Sequence, residues 1–192
     1  MSSNRNTIVR SMHDIGAAAW FGGSLMGAVA LNGATNDISD HADRARIASD
    51  GWARWSPVNA AAIGAHLIGG LGLVLAHRDR VRNQAGVSAN TAVKTGITAL
   101  ALASTAYSGV LGAKVAPAEA VPADGATKPA GSTPDGVANA QRQLRILQWV
   151  TPVLTGALVI LGAQQGEQQR PGERLRGIGK KLYRRGADAL PS

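Results

Sequence analysis

The residues of this sequence best suited to chemistry are a few histidine and carboxylate side chains that stand in or beside long apolar runs. His13 and Asp14 precede one run, His66 lies in the middle of a second run, and His77 follows the end of that second run. Imidazole and carboxylate groups bind several divalent ions, and ionisable groups within apolar spans are typical of ion and proton sites. His13, His66 and His77 are therefore candidate metal ligands.

A structural role competes with metal binding at each of these histidines. His66 lies about ten residues, or roughly 15 Å, from either end of its run. A neutral imidazole at that depth needs a hydrogen-bond partner, for which Ser104, Thr105 and Tyr107 are candidates. A haem held between His13 and His66 is disfavoured, because the two positions are expected to differ in height by roughly 12 Å.

These histidines belong to a chain whose apolar residues are gathered into four uncharged blocks. The blocks are 19 to 21 residues long, and helices of that length cross a hydrocarbon core of roughly 30 Å. None of the blocks alternates as a barrel strand does, so each is predicted to be a helix. The absence of cysteine excludes a disulfide-stapled secreted domain. The blocks are Ile15–Ala34, Ser56–Ala76, Thr95–Ala113 and Ile146–Gln165.

The polar connectors divide the chain around these blocks. Residues 1–14 form the N-terminal segment, and residues 15–113 hold the first three spans. Within them, residues 36–54 are predicted to form a short amphipathic helix on the membrane surface that stops at Gly51. Residues 114–145 are rich in Pro, Ala and Gly and are predicted to be a loop without regular structure. The fourth span occupies residues 146–165, and a basic tail occupies residues 166–192.

Small residues recur at four-residue spacing in two of the blocks. Such stripes let neighbouring helix backbones approach closely, so they predict helix packing within the bundle or between copies of the chain. The first stripe is Ala19, Gly23 and Gly27, and the second is Ala101, Thr105, Gly109 and Ala113.

The distribution of Lys and Arg predicts the orientation. Thirteen of the 20 fall in the N-terminal segment, the connector between the second and third spans, and the tail, whereas seven fall in the other two connectors. Because basic residues accumulate in cytoplasmic loops, both termini are predicted to be cytoplasmic.

The tail itself has the pattern of an amphipathic segment that lies on anionic lipid. A solvated tail and a nucleic-acid site are the alternatives, but the topology already accounts for most of the charge, so nucleic acid is not an expected partner. The predicted lipid-binding residues are Arg174, Arg176, Lys180, Lys181, Arg184 and Arg185.

The first span reads MHDIGAAAWFGG from Met12 to Gly23, with His13 seven residues before Trp20. This pattern resembles the opening helix of the CopD-like copper-resistance membrane domain and of related four-helix proteins of uncharacterised role. The resemblance implies an inner-membrane helical bundle linked to copper or another small solute. It carries over His13 and Trp20 only.

Together these patterns predict an all-α, polytopic membrane protein of the inner or plasma membrane, a bundle of four transmembrane helices with both termini inside. The sequence lacks a complete phosphate-binding loop, serine-nucleophile elbow or zincin motif, so no enzyme activity and no cofactor are expected. A structural or accessory subunit of a membrane complex, packed against itself or other subunits, is the expected function. Metal or small-solute handling by the histidines is the alternative. A cleavable signal peptide is the alternative for the first block, but the apolar stretch of that block is longer than those of such peptides.

Overall fold

The computed structural model describes residues 3–76, 78, 85–116 and 122–168. Four long helices dominate it: α1 (Ser3–Met26), α2 (His41–Ala76), α3 (Ala85–Val115) and α4 (Asp135–Gln168). A short antiparallel pair of strands, β1 (Ala123–Gly125) and β2 (Lys128–Pro129), lies between α3 and α4. The chain divides into two units, Met1–Val159 and Ile160–Ser192, and the contacts described below all belong to the first.

All four helices are long and apolar enough to cross a membrane. The expectation of an all-α chain with four such helices is confirmed, with the small sheet as an addition. The helices also extend well beyond their apolar blocks. The 36 residues of α2 are roughly 54 Å long, although the hydrocarbon core of a bilayer needs only about 30 Å. The helix α2 is therefore substantially longer than a membrane crossing requires.

The end of α1 changes its helical geometry before the chain turns back. A π-helical segment, Gly27–Leu31, follows α1, and single α-helical and 3₁₀ turns carry the chain on to Asp37. Gly27 leaves room at this point for the Trp52 ring of α2, which a Cβ there would overlap. The wider turn thus begins where an indole ring presses against the backbone.

The predicted surface helix at residues 36–54 is wrong as a separate element. Only Ile38–Asp40 separate the two helical segments, and α2 continues without a break through Gly51 and Pro57. Glycine in a helix interior costs only about 1 kcal/mol, which tertiary packing can offset. Gly51 makes room for the Leu31 side chain, because a Cβ at Gly51 would lie 2.7 Å from Leu31 Cδ1.

The prediction of an irregular loop over residues 114–145 is wrong in part, since β1, β2 and the first turns of α4 lie within it, and residues 117–121 lie outside the described residues. Threonine hydroxyls form hydrogen bonds with backbone groups in and beside this hairpin. Thr35 Oγ1 accepts a hydrogen bond from the Ala126 N–H (3.0 Å), and Thr133 Oγ1 accepts one from Ala130 (2.9 Å) and donates to the Pro122 carbonyl (2.8 Å). These partners come from distant parts of the chain or from local turns, so no periodicity reveals them.

Residues 35–54 and 122–145 together form a structure at one end of the bundle, which we call the cap. Its apolar core joins the start of α2, the end of α3, β1 and the start of α4, through Ala45, Leu111, Val115, Ala123 and Ala140. The Arg44 guanidinium also donates to the Asp124 carbonyl oxygen at 3.1 Å. The cap therefore ties the ends of the helices together through the hairpin.

Candidate functional site

Two of the three candidate metal ligands, His13 on α1 and His66 on α2, pack directly against each other. Their rings are stacked, with centroids 4.0 Å apart and planes inclined by 19°. His13 Nδ1 lies 2.9 Å from the carbonyl oxygen of His66, and His66 Nδ1 lies 3.0 Å from the carbonyl oxygen of His13. The expected height difference is wrong, because α1 begins at Ser3 and His13 lies well inside it.

The reciprocal hydrogen bonds identify the donor nitrogen of both rings. A carbonyl oxygen only accepts, so the Nδ1 of each ring carries a proton and donates it to the opposite helix. His66 Nε2 lies 3.5 Å from the Thr98 hydroxyl, which replaces the expected partners on Ser104, Thr105 or Tyr107. Ser104 instead bonds Thr151 at 2.7 Å, and Tyr107 bonds Gln143.

This arrangement is unlike a metal chelate. Imidazole lone pairs lie in the ring plane, so two stacked rings direct theirs side by side rather than toward one ion. Within the described residues, no group of three or more His, Cys, Asp or Glu side chains is placed to hold a metal ion. His77, the third candidate, lies outside the described residues. The same holds for the predicted lipid-binding residues, Arg174, Arg176, Lys180, Lys181, Arg184 and Arg185.

Trp20, which the apolar first block places deep in the bundle, connects α1 to α3. Its side chain is fully buried, and its Nε1 donates to Thr105 Oγ1 at 3.1 Å. The indole also meets the His66 ring edge-on, with centroids 6.2 Å apart. His13, His66, Trp20 and Thr105 thus form a continuous series of contacts across three helices.

The backbones of α1 and α2 approach each other most closely at glycines. A Cβ at Gly16 would lie 2.5 Å from the backbone nitrogen of His66, and one at Gly69 would lie 2.5 Å from the backbone nitrogen of His13. Of the predicted first stripe, Gly23 faces the Trp55 ring and Gly27 faces the Trp52 ring, while Ala19 is half-buried. Gly16 and Gly69 lie outside the predicted stripes.

The second predicted stripe divides between two environments. Ala101 is fully buried, and Thr105 accepts the Trp20 hydrogen bond. Gly109 and Ala113, about two and three turns beyond Ala101 on α3, are exposed at the edge of a cavity. A Cβ at Gly109 would meet no atom within 4 Å.

This cavity has a volume of about 330 Å³. It lies where the cap meets the membrane-crossing part of the bundle, between the α1–α2 pair and helices α3 and α4. Its wall carries three indole rings and many uncharged polar side chains. The principal members are Trp20, Trp52, Trp55, Ser24, Asn32, Ser56, Asn59, Thr105, Ser108, Gly112, Gln148 and Thr151.

Asn32 organises the polar side of the cavity. Its amide nitrogen donates to Gln148 Oε1 on α4 at 3.0 Å, and its Oδ1 accepts from Trp52 Nε1 on α2 at 3.0 Å. Asn32 is buried, and its carbonyl oxygen accepts the Thr35 hydroxyl at 2.7 Å. One side chain therefore joins three helices around the cavity, and the pattern of the first block gave no sign of this role.

The CopD-like resemblance concerns the same first helix, where His13 and Trp20 both contact His66 of α2. Those contacts account for the two positions by helix packing. A comparison with known proteins adds no relative: no protein-family model, curated protein or solved structure matches this chain.

Proposed function

We propose that this chain is a non-enzymatic, multi-pass protein of the cell membrane that serves as a structural or accessory component of a larger membrane complex. The observation that carries the proposal is the outward face of α3. Five small residues follow one another there in alternating steps of four and three residues, and all are exposed: Ala92, Gly96, Ala99, Ala103 and Ala106.

A face of this kind suits another helix better than lipid. Association of helices within a membrane depends on close van der Waals contact, which small residues permit. Large side chains such as Leu100 and Val110 are exposed on α3 as well, whereas the exposed face of α2 carries three of them within five residues, at Leu67, Ile68 and Leu71. Large branched side chains fit mobile lipid chains, so α2 supplies a natural lipid-facing comparison for α3.

The polar groups within the spans support a structural role. Trp20 with Thr105, Ser104 with Thr151, and the two stacked histidines each join different helices. Hydrogen bonds of this type between membrane helices contribute roughly 0.6 to 2 kcal/mol each. These side chains thus hold helices of the bundle together.

The proposed orientation places both termini in the cytoplasm and the cap outside. It rests on the excess of Lys and Arg in the terminal segments and in the connector between α2 and α3. In this orientation the basic tail faces the anionic inner leaflet, where each engaged base contributes about 1 kcal/mol. Anionic lipid and a neighbouring membrane helix are therefore the proposed partners.

Site-directed cross-linking tests the α3 interface, and the chain suits it because it has no cysteine. We expect Ala103→Cys, labelled with benzophenone maleimide and irradiated in native membranes, to yield one discrete product of higher mass. Leu71→Cys on the exposed face of α2 is the matched control and is expected to remain monomeric. Mass spectrometry of the product then distinguishes a second copy of the chain from a different subunit.

Two results would contradict this function. Monomer alone from Ala103→Cys would mean that lipid covers α3. The same products from both variants would mean that the cross-linker reports random collisions. A purified monomer with stoichiometric bound metal would favour the histidine-based alternative instead.

A further inference from the structure

We propose that the cavity beneath the cap is a binding site for a small, uncharged ring compound that carries a hydroxyl group. This inference is independent of the α3 interface and assigns a ligand class to the cavity from its wall. Four properties of the site carry it: its size, its aromatic surface, its spare hydrogen-bond acceptors and the position of its opening.

The size of the cavity restricts the ligand to a small molecule. A volume of about 330 Å³ is at the lower end of the range for ligand sites, which is roughly 300 to 1,000 Å³. One or two rings fit this volume, whereas a full lipid with its acyl chains does not. The half-buried indoles of Trp52 and Trp55 offer flat apolar faces, against which rings pack favourably, and the Trp20 ring beside them is fully buried.

The wall is largely apolar, and the polar side chains on it are uncharged. Among the described residues, no Asp, Glu, Lys, Arg or His side chain lines it. A charged ligand would lose its hydration there without gaining an opposite charge, at a cost of several kcal/mol. The ligand is therefore a neutral molecule.

The hydrogen-bonding state of the wall favours a ligand that donates. The Trp20 and Trp52 indoles already donate to Thr105 and Asn32. The hydroxyls of Ser24, Ser56 and Ser108 donate to backbone carbonyls of their own helices, at 3.0, 2.8 and 2.8 Å. Each serine oxygen still has accepting capacity, because a hydroxyl has two lone pairs.

Asn59 adds an acceptor of a different kind to the same wall. Its Oδ1 is buried, and among the described residues it has no hydrogen-bond partner. Such an unpaired group costs roughly 1 to 3 kcal/mol, so a donor that reaches the Asn59 amide recovers part of that cost. Because this oxygen is buried, a ligand hydroxyl reaches it once the Asn59 side chain rotates toward the cavity.

The opening of the cavity lies between α2 and α3. The exposed residues of the wall are all there or just beyond α3, with Ala53 and Ser56 on one side and Gly109 and Ala113 on the other. Arg54 marks the level at which α2 leaves its uncharged block, so the opening is at the membrane boundary. Amphipathic ring compounds concentrate at this level, as Trp and Tyr side chains do.

Photolabelling of the full-length protein in lipid nanodiscs tests this site. The probes are three forms of trifluoromethyl-phenyl-diazirine that share one ring and differ in one substituent: a phenol, an unsubstituted phenyl and a benzoate. We expect saturable labelling of cavity residues by the phenol, with a half-saturating concentration about tenfold lower than for the phenyl form. The benzoate is expected to label them no more than background.

A cavity-filling variant localises the effect. A Cβ at Gly112 would meet no atom within 4 Å, so Gly112→Leu occupies the cavity without displacing the backbone. It is expected to abolish saturable phenol labelling. Gly64→Leu is the matched control, because Gly64 is also helical and open but does not line the cavity, and its labelling is expected to equal that of the wild type.

Three outcomes would overturn the proposal. Labelling by the phenol that never saturates means that the probe reports only membrane partitioning. Saturable labelling that survives Gly112→Leu places the site elsewhere. Equal half-saturating concentrations for the phenol and phenyl forms remove the assigned role of the hydroxyl.

Discussion

His13 and His66 stabilise the contact between α1 and α2 by packing against each other. His66 is buried, and both its ring and its carbonyl oxygen contact His13. Each imidazole bonds a carbonyl on the opposite helix, so the pair joins α1 and α2 at two points. The rings are therefore best understood as an interhelical clamp.

Replacing the buried histidine tests this clamp. We expect His66→Leu to lower the free energy of unfolding by about 2 kcal/mol, because it removes the ring stacking and the hydrogen bonds to the His13 carbonyl and the Thr98 hydroxyl. Thermal unfolding in mild detergent measures the change. The control Ile68→Ala, on the exposed face of the same helix, is expected to stay within about 0.5 kcal/mol of the wild type.

The same experiment separates the clamp from a metal site. A metal that binds the folded state raises its stability by mass action. A rise in the unfolding midpoint on adding Zn²⁺ or Cu²⁺ to the wild type, lost in His66→Leu, would contradict the clamp. Wild-type stability in His66→Leu would do so as well.

The depth of His66 and its need for a hydrogen-bond partner were predictable from the sequence, but the identity of that partner was not. Hydropathy locates the apolar block of α1 at Ile15, whereas the helix itself begins at Ser3. A helix can continue through polar residues beyond its apolar stretch, and hydropathy does not show how far it continues. Hydropathy alone therefore places His13 at the end of a helix. That placement led to the wrong expectation that His13 and His66 differ in height.

At the scale of elements, the α1–α2 pair differs from the other contacts because its backbones touch. Gly16 and Gly69 face backbone atoms of the opposite helix, which cannot rotate away as a side chain can. Helices α3 and α4 are linked through side chains instead, as the bond between Ser104 and Thr151 illustrates. The cavity lies beside the closely packed α1–α2 pair.

A single methyl group is expected to separate that pair. Gly16→Ala would put its Cβ 2.5 Å from the backbone nitrogen of His66, so we expect the free energy of unfolding to fall by about 1 to 3 kcal/mol. Gly22→Ala is the control on the same helix, because its Cβ would meet nothing within 4 Å. Since alanine favours the helix, the control is expected to be unchanged or slightly more stable.

Thermal unfolding of both variants in the same detergent measures the difference. Equal stability of Gly16→Ala and the wild type would show that the helices separate at no cost. A loss of the same size in Gly22→Ala would attribute the effect to the loss of glycine itself.

The packing stripes were only partly predictable, because the prediction assumed a strict four-residue step. A helix turns by 100° per residue, so positions four apart drift round its surface by about 40° at each step. The observed contact face of α1 alternates its steps, from Gly16 to Trp20, Gly23 and Gly27. Gly23 and Gly27 belong to both patterns, whereas Ala19 belongs only to the predicted one.

At the scale of the whole molecule, the lengths of the four spans follow from one physical quantity, the thickness of the hydrocarbon core. The cap has no comparable determinant. Its order depends on contacts between distant segments, such as Thr35 with Ala126 and Arg44 with Asp124. For this reason the four helices were predictable from composition, and the hairpin was not.

The orientation of the bundle yields a prediction that depends on the whole chain. The terminal segments and the stretch between the second and third apolar blocks carry 13 of the 20 Lys and Arg residues, and basic residues near span ends are retained in the cytoplasm. We therefore expect alkaline phosphatase, which is active only outside the cytoplasm, to be active when inserted after Gly131 in the exposed turn of the cap. The same reporter fused after Ser192 is expected to be inactive.

Comparable expression of the two fusions, measured by immunoblot, makes their activities comparable. Gly131 suits the insertion because it is exposed and a Cβ there would meet nothing within 4 Å, so the cap can fold around the reporter. The reverse pattern of activity would place the cap and the opening of the cavity on the cytoplasmic side. Activity at both sites would mean an even number of crossings between them, so α4, the one long helix described between Gly131 and Ser192, would not cross the bilayer.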